Sequence, residues 1–582
     1  MIGSERSGQR MTGNPTDNGG DIAVVGAACQ VPGADNLYSF RDNLAAARQF
    51  IADVPDARLP GYTAPAPLRA SLLENPADFD ARFFAISPRM ANWMDPQQRL
   101  LLETTWRALE DAAIDPRTTA GAQAGVYVST TSNDFRDQAR DAAAVEPYSA
   151  LGLLPAYHAN RISYQYDWRG PSITLDNACA AGLTTVGLAV SGLRSGEIDL
   201  GVACGVNVLG HGYMQSVMLK FGAVSPSGTP RCFDADANGY VRGDGVFCFI
   251  LKRLADAIAD QDPIHGVIKG CVLSHDGRSG GLTRTDRDSQ VRLIRRSLAQ
   301  AGATPTELGY VEAHAAGTLI GDATEVAALV DLLGTHTAAG PAGRLWVGSV
   351  KANIGHLEGA AGAASLMKAL LILRFGQIPP TPGFRIPNPG MPIAGTAVGI
   401  ADHLLPWPAP TGDQPARLLG VNSFGVGGSS GHLTLADPPH PNPRTPAPPH
   451  TDQHWIPMSA ADPQALQCLA ADLADHVQDL PTSAMPAVVH TLQAGRAHLQ
   501  HRRLVHATDP TSLAHALRES DSNGPPPPPA LADWLAGRQD QWPAEHAAPA
   551  VRRVPLTPYP FQRRTHWFTS PPPPTIDYAG TP

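Results

Sequence analysis

Seven prolines fall in the fourteen residues from Asp437 to His450. No paired strand or helix interior tolerates that density, because each proline fixes φ and removes a backbone donor. Any large core must therefore close by about Ala436, and the segment 437–454 reads as an extended linker. Upstream of it the chain is globular in character: charged residues make up 17% and apolar ones 43% of the whole, while the 55 prolines crowd toward the C-terminal third. A chain of 582 residues is expected to hold two or three units.

The upstream segment mixes strand and helix signals. Ile22–Gly26 reads as a first strand, and Pro96–Asp111 as a helix on which Leu100, Leu101, Trp106 and Leu109 share a face. Strand-length apolar runs recur at Ala124–Ser129, Leu200–Cys204, Gly245–Leu251, Leu345–Val350 and Leu418–Val421, with helical segments between several of them. An α/β or α+β layered architecture follows. Beyond the linker, Pro463–Gln478 and Met485–Ala497 read as short amphipathic helices of a small second unit spanning about 455–518. After a break at Gly524–Pro529 come Trp534, Trp542, the run Val554–Phe561 and Trp567. Such a tail is either loose or, because large rings are costly to leave wet, an extended strap docked on the core. The expected division is a tail at 1–20, a main unit at 21–436, the linker at 437–454, a second unit at 455–548, a strap at 549–570 and a tail at 571–582.

Several classes of function are excluded. A net charge of -9 with no basic block longer than Arg502-Arg503 offers no footprint for nucleic acid or an anionic membrane. The seven cysteines are scattered, with no C-x-x-C pair, so neither a disulfide framework nor a zinc site is indicated and a reducing cytoplasm is expected. Met1–Gly20 lacks the apolar region of a signal peptide. The longest apolar stretch, Gly359–Leu373, is broken by Lys368 and falls short of a membrane span of about 20 residues.

The chemistry centres on Cys179. It sits where the extended segment Pro171–Asp176 gives way to the small, helix-compatible run Ala180-Ala181-Gly182. A thiol at a buried helix N-terminus meets unpaired N–H groups and the positive end of the dipole, which favour thiolate over a free thiol of pKa about 8.5. Two histidines, His314 in Val311–Thr318 and His356 in Val350–Gly359, also follow strand-like runs and precede small residues, and small residues at all three junctions, those after Cys179 included, would let an acyl chain approach the backbone. The glycine-rich loop Asn422–Ser430 lacks the lysine of a phosphate loop and reads better as an oxyanion hole.

These residues resemble the β-ketoacyl synthases of the thiolase superfamily, in particular the ketosynthase domains of modular polyketide synthases. The likeness runs densely over Asp21–Ala436, through Phe79–Arg89, Met94–Leu100, Gly170–Ser172, Gly239–Gly243 and the His356 motif. It implies a five-layered αβαβα thiolase fold, a homodimer, an α/β adaptor at the second unit and a strap that packs back on the core. It further implies Cys179 as nucleophile, His314 and His356 as stabilisers of an enolate oxygen, and an oxyanion hole from the backbone N–H groups of Cys179 and Val426. Lys351, Asn353, Phe424 and Thr318 would support them. The 135 and 42 positions that separate the three side chains are close to the family's arrangement, and histidine rather than asparagine at position 356 is the elongating pattern. The acyl group would arrive on the phosphopantetheine arm of an acyl carrier protein, with no metal or redox cofactor.

The chain departs from that pattern in three places. Ala180, Ala181 and Gly182 stand where serines usually follow the cysteine, and Ala315 and Ala316 stand where the family carries glycine and threonine. The threonine that Ala316 replaces ordinarily lies beside the extender thioester; its hydrogen bond is worth about 0.5–1.5 kcal/mol. Third, nothing of acyltransferase size separates the adaptor from the strap, as in ketosynthases whose extender is loaded in trans. Two reactions remain open: decarboxylative extension in trans, and an intramolecular aldol with lactone-forming release, as in standalone ketosynthases that form a salinosporamide-type γ-lactam-β-lactone. A docking or transacylating module is a third reading. Phe221, Met214 and Thr283–Arg287 are expected to line the acyl tunnel.

Overall fold

The structure, a computed structural model, describes residues 20–62, 68–278, 281–412, 414–439, 454–519, 525–548 and 550–568. Most of the expected linker and both expected tails lie outside the described residues, as do 520–524 in the break before Pro525.

Eleven strands form the core: β1 (Ile22–Gln30), β2 (Ala124–Ser129), β3 (Ser172–Leu175), β4 (Leu200–Asn207), β5 (Gly245–Arg253), β6 (Gly266–His275), β7 (Leu308–Glu312), β8 (Leu345–Gly348), β9 (Val398–Ile400), β10 (Leu418–Phe424) and β11 (Ser429–Ala436). They hydrogen-bond in the order β9-β8-β7-β10-β11-β6-β1-β5-β4-β2-β3. Read outward from the β1–β6 junction, each half gives its own strands in the order first, fifth, fourth, second, third, with β9 added at one edge. The pairing repeats too. In both halves the first, fifth and fourth strands run antiparallel and the outer pairings are parallel. The chain therefore folds as two copies of one unit, a repeat that composition and local patterning do not reveal.

The halves join along only three register pairs, Ile22↔Ile268 to Val24↔Gly266. Elsewhere two helices lie between them, α2 (Ala181–Ser195) and α5 (Ala361–Phe375). Each occupies the connection after the third strand of its half, and each is apolar nearly all round, as a helix covered by sheets on both sides must be. Leu183, Val186, Leu366 and Ile372 share one core with Phe247 and Phe249 of β5 and Leu419 and Val421 of β10. Helix α1 (Pro96–Asp111) covers the outside of the first sheet, while α3 (Arg287–Ala301) and α4 (Leu319–Leu333) cover the second. These are the five αβαβα layers. Lys368, which interrupts the apolar run in sequence, is fully buried in α5 and ion-paired with Glu312 at 3.0 Å. No helix among the described residues is long and apolar enough to cross a membrane.

The second unit pairs two antiparallel strands, β12 (His454–Ala460) and β13 (His501–Ala507), and covers them with α6 (Pro463–Val477), α7 (Met485–Ala494) and α8 (Pro510–Arg518). From 550 to 568 the chain runs back over α1 as a strap. Tyr559 donates its N–H to Glu110 (2.7 Å) and its hydroxyl accepts from Ala461 N–H (2.9 Å). Arg563 pairs with Glu103 at 2.8 Å, and Trp567 packs edge-on against Phe135 with 5.0 Å between ring centres.

Candidate active site

The β3–α2 connection places Cys179 directly ahead of Ala180, the N-cap of α2. Ala178 takes a left-handed conformation (φ 58°), which costs an alanine roughly 1–2 kcal/mol. Its N–H donates to Asp176 Oδ1 (2.9 Å), and Asn177 Nδ2 donates to Thr184 Oγ1 (2.9 Å). The sulfur is thus turned out of the helix axis on a braced elbow. On the opposite side Ser423 Oγ donates to the Cys179 carbonyl (2.7 Å), tying the elbow to the end of β10.

What brings the second half to this sulfur is a crossing of α2 and α5 at their N-terminal ends. A Cβ on Gly182 would lie 2.6 Å from Ala363 N, and one on Gly362 would lie 2.7 Å from Leu183 N. The helices touch backbone to backbone. This corrects the expectation that the small residues after Cys179 make room for an acyl chain: Ala180 and Ala181 are buried and Gly182 is consumed by the crossing. The motif needs small residues because two buried helices must meet there.

Cys179, His314 and His356 converge, with Sγ and one nitrogen of each ring all within 4.8 Å of one another. His314 leaves the end of β7, and the segment after β8 carries His356 to the same point; the two rings are 5.5 Å apart, edge to face. Phe424 N–H donates to His314 Nδ1 (3.2 Å), and Glu358 N–H donates to His356 Nδ1 (2.9 Å). With each Nδ1 accepting, the ring proton of each neutral imidazole resides on Nε2. Burial first, and Lys351 second, holds both histidines well below the ordinary imidazole range. The two imidazoles thus present two N–H donors.

The thiol behaves differently from the expectation of a helix-activated thiolate. Burial, followed by the charge of Glu358, pushes Cys179 up to about 11. Lys351 and the backbone N–H groups of Val426 and Cys179 itself pull the other way, less strongly. Desolvation of the sulfur outweighs the helix terminus. Those two N–H groups are nevertheless directed at the sulfur.

The remaining expected residues divide. Phe424 contributes its N–H to His314 and its ring lies 5.8 Å from the imidazole. Lys351 is buried, with its ammonium desolvated beside Cys232, Glu312, Glu325 and Cys179. Asn353 acts as a brace: its Nδ2 donates to Arg48 O (2.9 Å) and its carbonyl accepts from Phe50 N–H. Thr318 opens α4, with its N–H on Asp322 (3.2 Å). The expected tunnel residues do not enclose a tunnel within this single chain. Phe221 is 57% exposed, Met214 is half-buried, and Thr283, Arg284 and Arg287 are at the surface, with Arg287 paired to Asp331. The glycine loop is also shorter than expected, since β10 continues through Asn422, Ser423 and Phe424 before turning at 425–428.

Two carboxylates escaped the sequence reading. Glu325 accepts the N–H groups of His314 (2.8 Å) and Ala315 (2.9 Å) and the amide of Asn422 (2.8 Å). Asp322 accepts those of Phe233, Ala316, Gly317 and Thr318. Together they hold the His314 loop by its backbone, and burial pushes Asp322 up to about 7. Both sit on α4 at i and i+3 facing the loop, the only local signal that could have marked them.

A doubled, five-layered sheet fold with a cysteine elbow facing two donor imidazoles is that of an acyl-transferring enzyme of the thiolase superfamily. Residues 20–257 match the β-ketoacyl synthase N-terminal domain, 265–385 its C-terminal domain and 387–505 the ketoacyl-synthetase C-terminal extension. The chain belongs to the β-ketoacyl synthases, in the ketosynthase group of modular polyketide synthases. It is 38% identical over 529 residues to the polyketide synthase GfsA of Streptomyces halstedii, covering 87% of this chain and 7% of that one. It is 35% identical over 527 residues to the 5-methyl-1-naphthoate synthase of Streptomyces sahachiroi, covering 88% and 29%. The chain thus spans less than a third of either relative's length. Among solved structures it is similar to the oxazolomycin ketosynthase domain OzmH KS7 of Streptomyces albus, with a TM-score of 0.82, 32% identity and coverage of 94% of this chain and 99% of that one. The ketosynthase from module 6 of the Bacillus subtilis bacillaene synthase also superimposes, at TM-score 0.82, 29% identity and coverage of 94% and 100%.

Proposed function

We propose that this ketosynthase takes an acyl group from the phosphopantetheine thioester of an acyl carrier protein onto Cys179 and extends it with a malonyl-type unit by decarboxylative condensation. The carrying observation is the pair of occupied Nδ1 atoms, which leaves both imidazoles as Nε2–H donors. In the first step Cys179 displaces the phosphopantetheine thiol, which leaves with the proton the cysteine gives up. The extender thioester then places its carbonyl oxygen between His314 and His356. Loss of carbon dioxide leaves an enolate that the two N–H groups stabilise. Its carbon attacks the acyl-cysteine, the oxyanion sits against the N–H groups of Cys179 and Val426, and collapse expels the Cys179 thiolate. No step asks an imidazole to accept a proton at Nε2.

The alternative, closure of a finished chain by an internal aldol, needs an acceptor for an α-proton, and both nitrogens that face the sulfur already carry one. The short span between α8 and the strap, 519–549, supports an extender loaded elsewhere and delivered in trans. Strand β3 has no outer neighbour among the described residues, and its Ile173 is exposed; this edge supports association with a second copy as a homodimer.

Incubation with an acyl-carrier thioester, read by intact mass, is expected to give an adduct on Cys179; absence of one, or its persistence in Cys179→Ala, removes the enzymatic readings and leaves a docking module. Added malonyl-carrier protein is expected to yield a product two carbons longer with carbon dioxide released. Release of a cyclic isomer without malonyl overturns the extension reading.

A further inference from the structure

The segment Tyr240-Val241-Arg242-Gly243 grips His356 by its backbone. His356 N–H donates to Val241 O (2.6 Å), and Gly243 N–H donates to His356 O (3.1 Å). The Tyr240 ring lies tilted against the imidazole, 4.8 Å between centres. Arg242 is 3% exposed and forks onto Glu358 through Nε and Nη2, both at 2.7 Å. Glu358 is the residue whose N–H occupies His356 Nδ1, and it does so from a left-handed backbone (φ 45°) that a glutamate rarely adopts. A strained residue beside a reacting group persists only where its surroundings hold it. Here a planar two-point fork holds it, a geometry the single ammonium of lysine does not reproduce.

The same residue stands one hydrogen bond behind an imidazole that brings a nitrogen within 4.8 Å of the Cys179 sulfur; after burial its charge is the strongest influence raising Cys179, and Lys351 opposes it. Asp134 also acts on Arg242 through its charge, and spends its Oδ2 on the N–H groups of Gly210 and His211 (3.0 Å each).

We propose that the Arg242–Glu358 ion pair is a positioning device for the condensation: by clamping Glu358 it keeps that residue's N–H on His356 Nδ1, and so keeps His356 Nε2–H aimed at the substrate oxygen, while it neutralises a carboxylate that would otherwise oppose the Cys179 thiolate. The kinetic half rests on the extension reading above; the electrostatic half does not.

The test compares Arg242→Met, Glu358→Gln and the double variant in the full chain, with thermal unfolding followed alongside. Iodoacetamide alkylation of Cys179 against pH needs no substrate. Its midpoint is expected to move up in Arg242→Met, where a bare carboxylate remains, down in Glu358→Gln, and back toward wild type in the double variant. In malonyl decarboxylation, Arg242→Met is expected to lose roughly tenfold or more in kcat with KM changed less than about twofold, whereas Glu358→Gln, which can still bond Arg242, keeps kcat within about threefold. Coincident alkylation midpoints, or wild-type kcat in Arg242→Met, overturn the proposal. If Arg242→Met does not fold, an unmoved midpoint in Glu358→Gln overturns it. A wild-type enzyme that decarboxylates nothing refutes the extension reading, and the alkylation shifts still decide the electrostatic half.

Discussion

The crossing of α2 and α5 makes one substitution unusually diagnostic. Gly182→Ala adds a single carbon, yet that carbon would sit 2.6 Å from Ala363 N, where ordinary contact begins at 3.4 Å. Its neighbour is helix backbone, so no side chain can swing away, and the helices must part by roughly 0.8 Å. Overpacking of this kind costs about 1–3 kcal/mol, offset by up to about 1 kcal/mol from the better helix propensity of alanine. The larger effect falls on the site, because the connection leading into α2 carries Cys179 and the segment leading into α5 carries His356. Displacement near 1 Å of groups that must meet one substrate costs about a hundredfold, so condensation is expected to fall by several tens of fold. Acylation needs the sulfur and the N–H groups on the α2 and β10 side, and is expected to fall much less. Single-turnover measurements separate the two, with the acyl adduct followed by intact mass and condensation by product release. A folded Gly182→Ala enzyme that condenses at the wild-type rate refutes the crossing as the determinant of site geometry. So does an equal loss in both steps.

Three further outcomes follow from the same contacts. Both histidines are held neutral far below the ordinary imidazole value of about 6.5, and protonation begins only when pH falls through the lowered value. Decarboxylation by the folded enzyme should therefore show no titration limb between about pH 6 and 7, and a limb there, traced to either histidine by substitution, contradicts the burial argument. Asp322→Ala strips the acceptor from the buried N–H groups of Phe233, Ala316, Gly317 and Thr318; at about 1–3 kcal/mol for an unsatisfied buried donor, urea unfolding should show a loss of several kcal/mol, with Asp322→Asn milder. Trp567→Ala removes a ring packed against Phe135 and Phe568 and set 5.7 Å from the Arg99 guanidinium. A loss of about 3–5 kcal/mol in thermal or denaturant unfolding is expected, and a loss below about 1 kcal/mol means that the strap contributes little.

Local pattern carried much of this molecule. Pro96–Asp111 and Ala124–Ser129 form the elements read from their pattern, residue for residue, although the helix buries nearly every residue rather than one face, because the strap covers the side turned away from the sheet. Other strands ran longer than their apolar runs: β4 continues to Asn207 and β10 through Phe424, where partner strands supply hydrogen bonds that polar and small residues do not advertise. Cys179, His314 and His356 were legible as chemistry-bearing junctions, since each follows a strand-like run and lies in a segment rich in glycine and alanine.

The sequence by itself determined the main elements, the family and the three side chains that converge, all of which depend on residues close together in the chain or on a dense set of motifs. Only the tertiary structure decided that the small residues after Cys179 serve a helix crossing, that burial outweighs the helix terminus at the thiol, and that Glu325, Asp322 and the Glu358 N–H hold the histidine segments. Those relations join groups brought together by folding, many of them through backbone N–H groups that every residue type except proline carries, and such a donor leaves no mark in the sequence.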